Sequence, residues 1–211
     1  MPLRYEDVFG QLIDALAKGQ FAEGEWLPSE GDLAARLGSG RGVVREALRA
    51  LELRGLVDVH DRGQQVLAGD RWDVHEADVL IALADHDRMP QLLREAVAAR
   101  ATAEREAARL ATGNATEREQ RGDECDDAFV KAEAWFHTTL GLLSGNRVLA
   151  KMSEPLHLAL AAIRHRRAPE HEGDALAHHR RILEGVSSGE PDLAVRAVDG
   201  YAQQLAHWLA G

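Results

Sequence analysis

The chain has 211 residues, 45% of them hydrophobic and 28% charged. That is the make-up of a globular protein with one large or two small domains. No apolar run is long enough to span a bilayer and no signal peptide opens the sequence, so no membrane partner is expected. The formal net charge of −10 speaks against sequence-blind binding of nucleic acid by the whole surface. A single cysteine, Cys125, lies among Asp123, Glu124, Asp126 and Asp127. It cannot close a disulfide within the chain, and a reducing cytoplasm is the expected compartment.

In chain order, Met1 to Leu3 read as a frayed start. From Arg4 to Gly19 the apolar residues Val8, Leu12, Ile13, Leu16 and Ala17 recur at helical spacing. A loop from Phe21 to Leu27 follows, with Trp26 expected to pack. The stretch Leu27–Val66 then carries most of the information. Ser29 is placed to cap a short helix, with Asp32 three residues on, and Leu33, Ala34 and Leu37 form its apolar face. Gly38, Ser39 and Gly40 make a tight turn. A second helix is predicted from Arg41 to Arg54, with Val44, Leu48, Leu51 and Leu53 as its core side and Arg41, Arg45 and Arg49 spaced by four. Gly55 ends it. Leu56–Val59 and Gln65–Leu67 read as two strands around His60, Asp61, Arg62 and Gly63. Helix, turn, arginine-bearing helix and hairpin make a winged helix-turn-helix, and Ala68–Asp70 reads as a linker.

At these residues the sequence resembles the GntR family of bacterial transcription regulators. The similarity runs through Leu27-Pro28-Ser29-Glu30, Leu33-Ala34, Leu37-Gly38, Arg41, Val44-Arg45-Glu46-Ala47-Leu48, Gly55-Leu56, Arg62-Gly63 and Val66. The chemistry suits DNA. The front of a helix in the major groove meets base edges, and a guanidinium can give two donors to guanine O6 and N7. The resemblance assigns Arg41 and Arg45 to operator contact. A glycine at a hairpin tip lets backbone approach the minor groove, whose negative potential suits Arg62. The chain departs from the pattern at Gly40, Gly42 and Val43, where relatives carry hydroxyls. Ser39 is the substitute cap, and Val43 a contact for a thymine methyl. Gly31 stands where relatives can carry arginine. The DNA-contact set is thus Arg41, Gly42, Val43, Arg45, Arg62 and Gly63. Residues 1–69 carry 8 Lys and Arg against 11 Asp and Glu, so positive charge must concentrate on one face.

After Asp70 strand signals stop. Helices are predicted over Trp72–Asp85, from Pro90 to about Leu110 with Gly113-Asn114 as its end, over Thr116–Leu143, Val148–His165, Ala175–Val186 and Asp192–Leu209. The expectation is a mainly α chain: a winged helix-turn-helix at 1–69 and an antiparallel bundle of about six helices at 70–211.

Nine of the ten histidines lie in that second part. Glu133 and His137 share one helix face. Arg100 to Glu104, Phe136-His137, Ser144-Gly145-Asn146, His179 to Leu183 and Gly189-Glu190 resemble the all-α effector domain of the FadR-like branch of that family. The resemblance implies a small organic acid or related metabolite as effector, with Arg100, His137, His179 and Tyr201 around it, and a homodimer on double-stranded operator DNA. Many members bind a divalent metal through an Asp and three His. Glu133, His137, His179 and Tyr201 correspond, so Zn, Ni or Mn is the implied cofactor, with Glu and Tyr departing from the pattern. The alternative is a metal-free pocket in which Tyr201 and His137 hydrogen-bond each other or the ligand. Arg100 could equally pair with Glu104. Arg164, Arg166 and Arg167 read as complements to a helix dipole, and His178 and His207 as surface. The expected function is a ligand-responsive repressor. The alternatives are a metal-dependent helical enzyme acting on a small carboxylate, with Glu133 as base, and a winged helix used for protein contacts. No HExxH or GxSxG supports the enzyme.

Overall fold

The computed structural model describes residues 3–86, 90–112 and 129–210. Cys125 and the predicted helix front from Thr116 lie outside them, as does the Gly113-Asn114 helix end. The described elements run α1 (Tyr5–Ala17), α2 (Glu30–Leu37), α3 (Arg41–Leu53), β1 (Val57–His60), β2 (Gly63–Val66), α4 (Ala77–Asp85), α5 (Pro90–Ala111), α6 (Phe129–Leu143), α7 (Arg147–Arg167), α8 (Glu172–Ser187) and α9 (Pro191–Ala210). They fall into two compact units, Met1–Arg88 and Met89–Gly211.

In the first unit, Val8, Leu12, Ile13 and Leu16 of α1 meet Val44, Leu48 and Leu51 of α3; all are buried, with Leu56 beside them. Each such side chain contributes about 1.5–3 kcal/mol by leaving water. Ser29 caps α2 by accepting from the Asp32 N–H at 3.2 Å, and its hydroxyl donates to the Asp32 carboxylate at 2.6 Å. Gly38 ends α2 at φ +63°, and Gly55 follows α3 at φ +69°. β1 and β2 pair antiparallel with Val57 opposite Val66 and His60 opposite Gly63, so Asp61 and Arg62 form the tip.

Several expectations change here. Leu53 is 83% exposed, because the next core position after Leu48 and Leu51 falls beyond the helix. Ser39 does not cap α3; its hydroxyl donates to the Leu3 carbonyl at 3.1 Å, and Gly40 takes the N-cap position without a side-chain bond. Trp26 packs only in part: it is 41% exposed, bridged to Gln65 and edge-on to His60. The helix expected from Trp72 begins at Ala77. Before it the Asp73 N–H donates to the Arg54 carbonyl at 2.8 Å, and the Trp72 indole to the Leu67 carbonyl. The segment after the predicted linker therefore folds onto the first unit. α4 packs on α1, and Arg54 holds Asp78 through two 3.0 Å bonds. Packing extends the first unit beyond residue 69, through α4.

The second unit is helical. α6 and α7 form a hairpin turned at Gly145, and α8 and α9 another at Gly189, each glycine with positive φ. Helix axes approach closely where glycine meets alanine. A Cβ at Gly141 would sit 2.8 Å from the Ala150 Cβ, and one at Gly185 would sit 2.4 Å from the Ala194 nitrogen. α5 packs against α6, α7, α8 and α9. Its buried stripe is Leu93, Ala96, Val97, Arg100, Ala101, Glu104, Ala107, Ala108 and Ala111. A guanidinium and a carboxylate thus occupy core phase at the middle of the central helix.

Candidate functional site

The front of α3 is exposed. Arg41, Gly42 and Arg45 face solvent and Val43 is half-buried, while Val44, Ala47 and Leu48 turn to the core. Two arginines one turn apart are therefore presented outward by the apolar packing of the opposite face. Their guanidiniums are not loose. Glu30, the first residue of α2, accepts from Arg45 Nε at 3.1 Å and from Nη2 at 2.8 Å. That hydrogen bond lowers the Glu30 pKa and raises that of Arg45. The Arg41 guanidinium lies over Gly31, 3.2 Å from where a Cβ would be. Arg62 is exposed at the hairpin tip, and Gly63 has φ +131°.

The second unit holds a buried charged cluster. Arg100 and Glu104 come from α5, Glu133 and His137 from α6, His157 and Arg164 from α7, His179 from α8 and Tyr201 from α9; none is more than 6% exposed. Arg164 Nη2 donates to Glu133 Oε2 at 2.5 Å, and the Tyr201 hydroxyl donates to Glu133 Oε1. Arg100 donates through Nε to Glu104 Oε1 at 3.3 Å and through Nη2 to His137 Nε2 at 3.0 Å, and its carbon lies 4.8 Å from the Tyr201 ring centre. Arg100 Nη1 has no hydrogen-bond partner among the described residues.

Donor counting assigns the His137 proton. A guanidinium only donates, so His137 Nε2 accepts and its proton sits on Nδ1, which faces Glu104. His179 Nε2 lies 3.1 Å from the same His137 Nε2. His157 stacks on His137 with ring centres 4.6 Å apart, its Nδ1 3.4 Å from Glu104.

Electrostatics follow from burial and these neighbours. Burial opposes the Glu133 carboxylate, but Arg164 and then Arg100 outweigh it and hold its pKa to about 2. Burial, then Arg100, push His137 well below its ordinary value. Burial likewise lowers His157, and lowers His179 to about 4. Burial and Glu133 raise the Tyr201 phenol, which stays protonated. The Glu133 carboxylate is thus surrounded by two guanidiniums, a protonated phenol and three imidazoles held neutral.

The predicted site residues Arg100, Glu133, His137, His179 and Tyr201 converge in this cluster. Arg100 does pair with Glu104, and the same guanidinium also reaches His137. Tyr201 bonds Glu133 rather than His137. Three members were not predicted. The sequence offers Glu104 only as a partner of Arg100 and Arg164 only as a dipole complement, and nothing in it marks His157. Their signal is phase: Ser153, His157, Leu160 and Arg164 lie on one buried face of α7. His178 is half-buried rather than on the surface, stacked on Tyr201 at 5.4 Å. Two sets of donors lie close enough to share an ion, Glu133–His137–His179 and Glu104–His137–His157, with ligand atoms within 4.8 Å of one another.

Residues 4–64 match the family described as "Bacterial regulatory proteins, gntR family", and residues 90–204 match the "FCD domain". The chain belongs to the GntR family, in its FadR-like branch. The HTH-type transcriptional repressor NanR of Citrobacter rodentium is 28% identical, the alignment covering 97% of this chain and 85% of that protein. NanR of Klebsiella aerogenes is 27% identical with the same coverage. Among solved structures, Lar of Listeria monocytogenes superposes with TM-score 0.58 at 18% identity, covering 99% of this chain and 97% of that one. E. coli McbR/YncC does so at 0.51 and 19%, covering 99% and 98%. These likenesses agree with the winged helix and helical bundle. As a GntR regulator with an FCD domain, the chain is a ligand-responsive DNA-binding transcriptional regulator and not an enzyme. No described helix is long and apolar enough to cross a membrane.

Proposed function

We propose that this regulator is a cytoplasmic homodimeric repressor whose helical unit senses a small organic acid. Residues 1–69 are its reading head, with α4 packed on them, and the helices from α5 onward are its effector and dimerisation part. Arg41 and Arg45 read base edges from the front of α3, Gly42 and Val43 fit between them, and Arg62 and Gly63 approach the minor groove. A two-fold dimer then demands a near-palindromic operator. The observation that supports this most is the α3 front, where two exposed arginines stand one turn apart with the opposite face locked in the core. Arg100, His137, His179 and Tyr201 receive the effector, whose carboxylate pairs with the Arg100 guanidinium. Ligand binding shifts the balance between arrangements that fit and do not fit the operator.

The test is fluorescence anisotropy on DNA upstream of the chain's own coding region. Arg41→Ala and Arg45→Ala should each weaken binding by roughly 1–3 kcal/mol and relax selectivity at one base pair. Retention of the parent's affinity and selectivity by both variants refutes the assignment. Metal loading is the second reading of the buried cluster, favoured by the convergence of Glu133, His137 and His179, a donor set that Zn, Ni or Mn can use.

A further inference from the structure

A metal ion needs lone pairs turned toward it, with the protons of its imidazole ligands on their far nitrogens. Glu133, His137 and His179 could meet that need only by giving up bonds they already make. His137 Nε2 already accepts from Arg100 Nη2 at 3.0 Å, which leaves the ring proton on Nδ1 beside Glu104 and so denies that nitrogen to the Glu104–His137–His157 set as well. His179 Nε2, 3.1 Å away, faces that same engaged nitrogen. Both oxygens of Glu133 are engaged, one by Arg164 and one by the Tyr201 hydroxyl. Tyr201 therefore contributes a proton donor to Glu133. An ion entering here would strip three hydrogen bonds and sit between two guanidiniums that cannot deprotonate. A carboxylate meets the opposite situation. Arg100 is 2% exposed, and its Nη1 is a donor with no partner among the described residues.

We propose that the buried site of this chain works without a metal ion: the Arg100 guanidinium stands where the cation would, and offers Nη1 to a carboxylate of the effector. The proposal rests on the effector reading above and adds to it the means of holding the ligand.

The full-length protein, purified without chelator or added metal, is assayed for bound Zn, Ni and Mn by mass spectrometry. It is then titrated with Zn2+ by calorimetry beside Arg100→Met and Arg100→Lys. The parent and Arg100→Lys should hold no stoichiometric metal. Arg100→Met should take up Zn2+ roughly tenfold or more tightly than the parent. About one ion per parent chain, lost in His137→Ala, overturns the proposal. Equal Zn2+ affinity of the parent and a folded Arg100→Met overturns the role of Arg100. Should circular dichroism show Arg100→Met unfolded, the parent and Arg100→Lys decide. A thermal-shift panel of acetate, lactate, succinate and citrate, with and without EDTA, addresses the ligand. A melting shift that survives EDTA supports the proposal, and one that EDTA abolishes overturns it. No shift from any acid counts against the organic-acid reading itself, while the metal result still decides this one.

Discussion

Arg164 is fully buried and holds Glu133 at 2.5 Å. Replacing it by methionine keeps most of the volume and removes the charge. The size of the effect follows from Glu133, whose pKa falls from 4.5 to about 2 against the opposing pull of burial, with Arg164 the largest favourable charge. At 1.36 kcal/mol per pH unit that is about 3 kcal/mol, in line with the roughly 3–5 kcal/mol lost when one partner of a buried pair is removed. Arg164→Met should therefore lower the stability of the helical unit by about 3 kcal/mol at pH 7, read by urea denaturation with circular dichroism. Adding Glu133→Gln should recover at least half of the loss, since the orphaned charge is then gone. A single variant within about 1 kcal/mol of the parent, or a double variant whose losses simply add, would show that the pair does not carry the cluster.

Acid should weaken the helical unit in two stages. His179 is held to about 4, below its ordinary 6.5. The unfolded chain thus takes up that proton first, and stability present above pH 6.5 declines as pH falls toward 4. Between pH 6.5 and 5 the loss from this group is about 2 kcal/mol, and His179→Gln should flatten that slope in urea titrations. Glu133 acts in the same direction lower down: its contribution is complete above pH 4.5 and is lost as pH falls through about 2. A flat stability profile from pH 7 to 5 in the parent contradicts this account. In the first unit, Gly55→Ala should cost more than Gly38→Ala, although both glycines have positive φ. A Cβ at Gly55 would lie 2.4 Å from the Arg71 carbonyl oxygen, whereas none crowds Gly38. The second variant should lose about 1 kcal/mol for the left-handed backbone alone; equal losses by urea melts would mean that Arg71 moves aside freely.

The winged helix was legible because its signals are local. Ser29, Gly38 and Gly55 act on backbone within a few residues of themselves, and the spacing of Val44, Leu48 and Leu51 sets which way Arg41 and Arg45 point. Local signals failed where a distant partner was decisive. Ser39 had the side chain of a cap, but the Leu3 carbonyl claims it. Leu53 is as apolar as Leu51, but the core ends before it.

Spacing alone was enough to say that Glu133 and His137 share a face, and resemblance added His179 and Tyr201 to them. Neither showed the state of those groups, because protonation and charge inside a bundle depend on which other helices bring charge to the same point. Arg164 and His157 sit 31 and 24 residues from Glu133, and Glu104 and Arg100 are on another helix again. Only their packing together makes Glu133 a paired carboxylate, turns the His137 Nδ1–H toward Glu104, and makes Tyr201 a hydrogen-bond donor to Glu133. A chain order can list the residues that meet; low dielectric and mutual distance set what they become once they do.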